Sequence, residues 1–168
     1  MKKFADKPIL VPVDLSDASD KALDFALELA SSPRQVVALH VGVPYSSVEP
    51  PYMFLIDEEG RKKQLEESVQ EHFAKPQYRN VQFEVRYGDP GHTIADFART
   101  LGVGLIVMPS HGRTGLSHLL VGSVAERVVR YSPCPVLVLR GMKAACANAT
   151  CASAEENAAF PSEFVGMA

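Results

Sequence analysis

Residues 108–128, MPSHGRTGLSHLLVGSVAERV, set glycine, hydroxyl and imidazole side chains between an apolar run and an amphipathic one. Gly122 and Ser123 stand where the amphipathic stretch begins. The first N–H groups of a helix lack an intrahelical acceptor and the helix dipole makes that end positive, so such a start suits an anion. Glycine lets the backbone come close to it. Ser123 can donate its hydroxyl to a phosphate oxygen, cap the helix, or do both. A second candidate is Asp14, in PVDLSD after another apolar run. Its carboxylate can accept from a sugar hydroxyl or help to hold a magnesium ion. It can equally cap the helix that follows, as can Ser16 or Asp17.

These residues need elements to hold them. Apolar runs occur at 9–13, 36–41, 81–87, 105–108 and 136–139. Four are nearly continuous in Val, Ile and Leu, as in strands buried on both faces. The third alternates, with Val81, Phe83, Val85 and Tyr87 on one side and Gln82, Glu84 and Arg86 on the other, which predicts an edge strand. Helical spacing joins Ala22, Phe25, Ala26, Leu29 and Ala30 over 17–31, and Leu65, Val69, His72 and Phe73 over 60–74. It also joins Ile94, Phe97, Ala98 and Leu101 over 92–101, where Asp89 caps, Pro90 sits in the first turn and Gly102 closes. The last helix, 123–131, buries Val124, Val128 and Tyr131 and stops before Pro133.

Strand and helix alternate from 9 to 139, which predicts a single α/β domain: a five-stranded parallel sheet with helices on both faces and right-handed crossovers. Ligands of such sheets collect at the carboxyl ends of strands where the winding reverses. With the strands in the order 3-2-1-4-5, the loops after the first and fourth face one crevice. Neither familiar nucleotide motif fits. The loop after the first strand has no glycine for G-x-G-x-x-G, and no lysine completes a P-loop.

The 168 residues suit one domain, and 46% hydrophobic with 22% charged residues is ordinary for a soluble protein. A net charge of −3 and a pI near 5.9 argue against a broad nucleic-acid surface. The N-terminal apolar stretch spans five residues, interrupted by Pro12, too short for a signal-peptide core, and no run approaches a membrane span. Cytoplasm is the expected location. Cys134, Cys146 and Cys151 lack metal-ligand spacing, and Cys134 reads as a small buried hydrophobe. The proline-bearing segment 42–60 reads as a mobile loop or lid. We expect a domain over 1–140 and an alanine-rich, poorly ordered tail over 141–168.

The blocks ILVPVDLSDASDKALDFALELA, ALHV, GDPGHTIADFA and LIVMPSHGRTGLSHLLVGSVAERVVRYSPCPVLVLR resemble the universal stress protein family over about 9–140. The resemblance implies a Rossmann-like fold of the adenine nucleotide alpha hydrolase type. The nucleotide-binding branch of that family carries G-x2-G-x9-G-[ST] after the fourth strand. Gly112, nine residues, then Gly122 and Ser123 match it, while Pro109 replaces the first glycine. Proline removes a donor, and one hydrogen bond to a charged group contributes roughly 1.5–3 kcal/mol. Micromolar binding corresponds to about 8 kcal/mol, so binding would weaken without being lost.

Carried over, the resemblance places Pro12, Val13, Asp14 and Val41 at the adenosine end, with Met108 and Pro109 flanking the nucleotide. It places Gly112, Gly122, Ser123 and Val124 at the phosphates, with Arg113 able to add charge. Asp14 is the expected magnesium carboxylate, and ATP or AMP the expected ligand. No residue reads as a base or water-positioning group, so slow hydrolysis at most is expected. His111 and His118 receive no role. The alternative is a dimeric stress-response module that binds no nucleotide. Val136, Leu137, Val138 and Leu139 form an apolar edge strand that invites pairing, and the resemblance implies a homodimer through it. The tail can also cover that edge.

Overall fold

The computed structural model describes residues 7–43, 58–110 and 122–140. Gly112, Arg113, His111, His118, Cys146, Cys151, most of the 42–60 segment and the whole 141–168 stretch lie outside the described residues.

Among the described residues, five strands, β1 (Ile9–Val13), β2 (Val36–Gly42), β3 (Gln82–Tyr87), β4 (Leu105–Pro109) and β5 (Val136–Leu139), alternate with four α-helices. These are α1 (Asp17–Leu29), α2 (Glu58–His72), α3 (Pro90–Leu101) and α4 (Ser123–Tyr131). The sheet is parallel throughout, in the order β3-β2-β1-β4-β5. Order and direction agree with the sequence reading, as does β3 at an edge.

Strand alternation divides the core between two faces. Ile9, Val11, Val36, Ala38 and Val107 pack against Ala22, Leu23 and Ala26 of α1 and Val69 and Phe73 at the end of α2. Leu10, Val37, Leu39, Ile106 and Met108 pack against Ile94 and Ala98 of α3 and Ala125 and Val128 of α4.

The helix stripes are narrower than their spacing predicts. On α1, Leu23 is buried and Leu29, the last residue of the helix, is exposed, while Ala26, Leu27 and Ala30 keep the final turn on the core. Leu101 and Tyr131, expected inside, are exposed at the ends of α3 and α4. Tyr131 stacks on His92, ring centroids 4.8 Å apart, and Ala125 takes the buried position on α4. Cys134 is half-buried against the second cluster. Among the described residues, no helix is long and apolar enough to cross a membrane.

Candidate functional site

β1 and β4 pair only at Ile9–Leu105 and Leu10–Ile106. β1 nevertheless stays paired with β2 as far as Val13–His40, and β4 with β5 as far as Pro109–Leu139. Pro12 and Pro109 lie in the parted stretch, and proline has no N–H to give to a ladder. A continued register would set Pro12 against Met108, beside Pro109. The two strands part there instead, at the carboxyl end of the sheet where the winding reverses. The cavity between them has a volume of about 460 Å³, within the roughly 300–1,000 Å³ of small-molecule sites. Leu39, Val41, Ile94 and Met108 give it apolar walls, while Asp14, Ser110 and the start of α4 give it a polar end.

Asp14 sits on a strained turn. Leu15 has φ +62°, a left-handed conformation that costs a residue with a branched side chain about 1–3 kcal/mol. The turn is held at its far side by Ser16, the N-cap of α1, in a capping box with Ser19. The Ser19 N–H donates to Ser16 Oγ at 3.3 Å and the Ser16 N–H to Ser19 Oγ at 3.2 Å. Asp14 is therefore not the cap. Its Oδ1 accepts from the Ser16 N–H at 3.2 Å and from the Ser16 hydroxyl at 2.5 Å, and the half-buried residue lines the cavity. Among the described residues no group of three or more His, Cys, Asp or Glu is placed to hold a metal ion. Magnesium commonly takes one or two carboxylates and completes its shell with phosphate oxygens and water, and Asp14 fits that pattern.

The start of α4 differs in detail from the sequence reading. Gly122 is the N-cap, with φ −70° and ψ 156°, and as glycine it brings no side chain to cap the helix. Ser123 is the first helical residue, so its hydroxyl is not a cap. The Gly122 N–H donates to the Ser110 carbonyl at 2.8 Å, and the Ser110 N–H donates to the Leu139 carbonyl at 2.8 Å. Gly122 thus spends its donor within the protein. The first helical bond runs from the Glu126 N–H to the Gly122 carbonyl at 2.9 Å. Ahead of it, the N–H groups of Ser123, Val124 and Ala125 have no intrahelical acceptor. All three residues line the cavity.

α3 closes the second wall. Asp89 caps it, accepting at Oδ1 from the His92 N–H at 3.1 Å, with His92 Nδ1 2.8 Å from the same oxygen. Arg127 of α4 donates to Oδ2 at 2.6 Å. The His92 ring and main-chain hydrogen bonds, with Arg127 beside them, hold the Asp89 carboxyl below its usual range. A Cβ on Gly91 would lie 2.6 Å from the Arg127 Cβ, so glycine there lets the two helices approach. Pro90 and Ile94 of α3 line the cavity.

Of the residues singled out from the sequence, the structure brings Pro12, Val13, Asp14, Val41, Met108, Pro109, Gly122, Ser123 and Val124 to one cavity. Gly112 and Arg113 lie outside the described residues. Sequence reasoning missed Leu39, His40, Val43, Pro90, Ile94, Ser110 and Ala125. His40 and Ser110 had a usable signal, their place at the carboxyl ends of strands. Pro90 and Ile94 had none, because only the packing of α3 on α4 brings them there.

This is the architecture of a doubly wound, Rossmann-like α/β protein with its cleft at the switch point. The universal stress protein family model matches residues 6–140, and the chain belongs to that family. It is 40% identical to universal stress protein YxiE of Bacillus subtilis, covering 79% of this chain and 97% of that protein. The solved universal stress protein UspA of Lactobacillus plantarum is 31% identical with TM-score 0.61, covering 81% of this chain and 99% of its own. A universal stress protein of Archaeoglobus fulgidus, solved in complex with dAMP, shares the fold at 22% identity and TM-score 0.52, covering 79% of this chain and 96% of its own.

Proposed function

We propose that this protein binds an adenine nucleotide, ATP or AMP, in the β1–β4 cleft and acts as a cytoplasmic stress-response regulator. The observation that carries the reading is that Asp14 and the donor-bearing start of α4 line one apolar-walled cavity. The likeness to the dAMP-bound protein is one of fold, so the reading rests on the cleft. The base lies against Val41, Met108 and Ile94, and the sugar lies at Val13 and Asp14. The phosphates lie at the N–H groups of Ser123, Val124 and Ala125, with Gly112 and Arg113 in the same phosphate set. ATP brings magnesium, whose carboxylate is Asp14. The binding unit is 1–140, with 141–168 as an appended tail.

Asp14 is the single carboxylate lining the cavity among the described residues, and its Oδ1 accepts two hydrogen bonds from Ser16. Among the described residues no second carboxylate lines the cavity and His40 Nδ1 is engaged by the Val13 carbonyl, which supports slow turnover at most. With ATP and magnesium, purified protein shows weak phosphate release that Asp14→Ala changes little. Brisk release abolished by that substitution would make the protein an ATPase.

Two measurements test binding. Denaturing the purified protein and weighing what it releases identifies a carried nucleotide. Thermal melting with ATP and magnesium at about a hundredfold over Kd adds roughly 2.7 kcal/mol of stability. An unchanged melt at millimolar ATP would favour the second reading, a dimeric module without nucleotide. Pro109, which removes a donor from the cavity wall, is the feature that favours it. In both readings two copies pair through β5, where Leu137 is exposed beside Val136, Val138 and Leu139.

A further inference from the structure

We infer that His40 is a positioning residue: it grips the peptide joining Val13 to Asp14 and thereby presents Asp14 to the cleft. This rests on the nucleotide reading for its consequence, not for its geometry.

His40 lies on β2 opposite Val13 in the ladder, and its Nδ1 is 2.8 Å from the Val13 carbonyl oxygen. A carbonyl only accepts, so Nδ1 carries the proton and donates. That carbonyl belongs to the same planar unit as the Asp14 N–H, and the chain's described peptide bonds are trans. In a trans unit the C=O and N–H point in opposite directions. Holding the C=O on the β2 side therefore turns the Asp14 N–H toward β4, where the strands have parted.

The next residue explains why a grip is needed. Leu15 adopts φ +62°, and an unfavourable turn of this kind persists only where its surroundings over-determine it. Downstream, Ser16 and Ser19 fix it through the capping box and the two Ser16 hydrogen bonds to Asp14. Upstream, the β4 pairing has ended at Leu10, while β2 and the His40 side chain continue to hold the strand as far as Val13. His40 is half-buried and follows Val36 and Ala38 in strand alternation, so its ring holds the turn from the α1 side of the sheet, while Leu39 and Val41 face the cavity. A leucine at this position would fill the space without the hydrogen bond.

The test compares His40→Leu with His40→Asn, whose amide nitrogen stands near the place of Nδ1 and keeps the donor. ATP–magnesium affinity by titration calorimetry falls about tenfold in His40→Leu and stays within about threefold of wild type in His40→Asn. In an Asp14→Asn background, His40→Leu has no further effect, because the group it positions is gone. In the ligand-free protein, the Asp14 carboxyl carbon resonance moves in His40→Leu and is restored in His40→Asn. Should the leucine variant fold poorly, His40→Gln, whose amide lies one bond further out, serves as the donor-displacing variant. An unmoved Asp14 resonance, or an affinity loss that persists undiminished without the Asp14 carboxylate, would overturn the assignment. Wild-type protein that binds no ATP would refute the nucleotide reading, while the Asp14 resonance would still decide the role of His40.

Discussion

Gly122 has a backbone conformation open to any residue, so the fold does not demand glycine there. Its position on the cavity wall does, if a ligand must approach the start of α4. Gly122→Val keeps the N–H that donates to Ser110 and leaves the melting temperature of the free protein near wild type. Nucleotide affinity by calorimetry falls about tenfold or more, the side chain costing roughly 1–3 kcal/mol to accommodate beside the ligand. Equal affinity would remove the phosphates from this helix end. Asp89 offers a prediction in pH. Its folded carboxyl titrates below the ordinary range because of His92 and Arg127, so its contribution is present above that range and disappears as pH falls through the lowered value. Asn also caps helices, so Asp89→Asn keeps the cap and removes the charge. It costs within about 1 kcal/mol at neutral pH, the carboxylate being well exposed. Urea melts from about pH 5 to about pH 2 show a shallower loss of stability in Asp89→Asn than in wild type.

At the scale of elements, the cleft is a consequence of two strands that cannot stay paired and two helices that cannot stay apart. Pro12 and Pro109 lie where the β1–β4 ladder stops, and Gly91 lets α3 settle on Arg127 of α4. An alanine Cβ at 91 would meet the Arg127 Cβ at 2.6 Å, close to the backbone of α4 where no flexible end can yield. Gly91→Ala therefore separates the helices and costs about 1–3 kcal/mol, read as a lower urea midpoint at unchanged slope. Pro90 and Ile94 move with α3, so the same variant also lowers nucleotide affinity. A variant as stable as wild type would show that the contact is slack.

For the whole molecule, β5 is both an edge and a relay. The Leu139 carbonyl accepts from Ser110, whose own carbonyl accepts from Gly122, so the outer strand, β4 and the start of α4 are joined by two hydrogen bonds. An exposed apolar edge on a parallel sheet invites a second chain. Leu137→Lys places a charge on that edge. Light scattering at micromolar concentration reads a dimer for wild type and a monomer for the variant, while nucleotide affinity is little changed. A wild-type monomer would remove the proposed pairing.

Much of this was legible in the chain. Continuous apolar runs at 9–13, 36–41 and 105–108 suit strands buried on both faces, and with the helical patterns between them point to a parallel sheet, whereas the like run at 136–139 lies half-buried at an edge. Local rules also placed Asp89 at the head of α3 and Gly102, with φ +66°, at its end. Other features were settled by packing. Leu29, Leu101 and Tyr131 follow helical spacing but lie outside, because periodicity gives the face of a helix and not how far the sheet beneath it extends. The capping of α1 by Ser16 rather than Asp14, and the grip of His40 on Val13, depend on side chains meeting across a turn and a strand pair. The residues that could hold an anion were readable from their types. That they share one cavity with Ile94 and Pro90 was decided by tertiary structure, because contacts between residues distant in the chain exist only once the helices have docked.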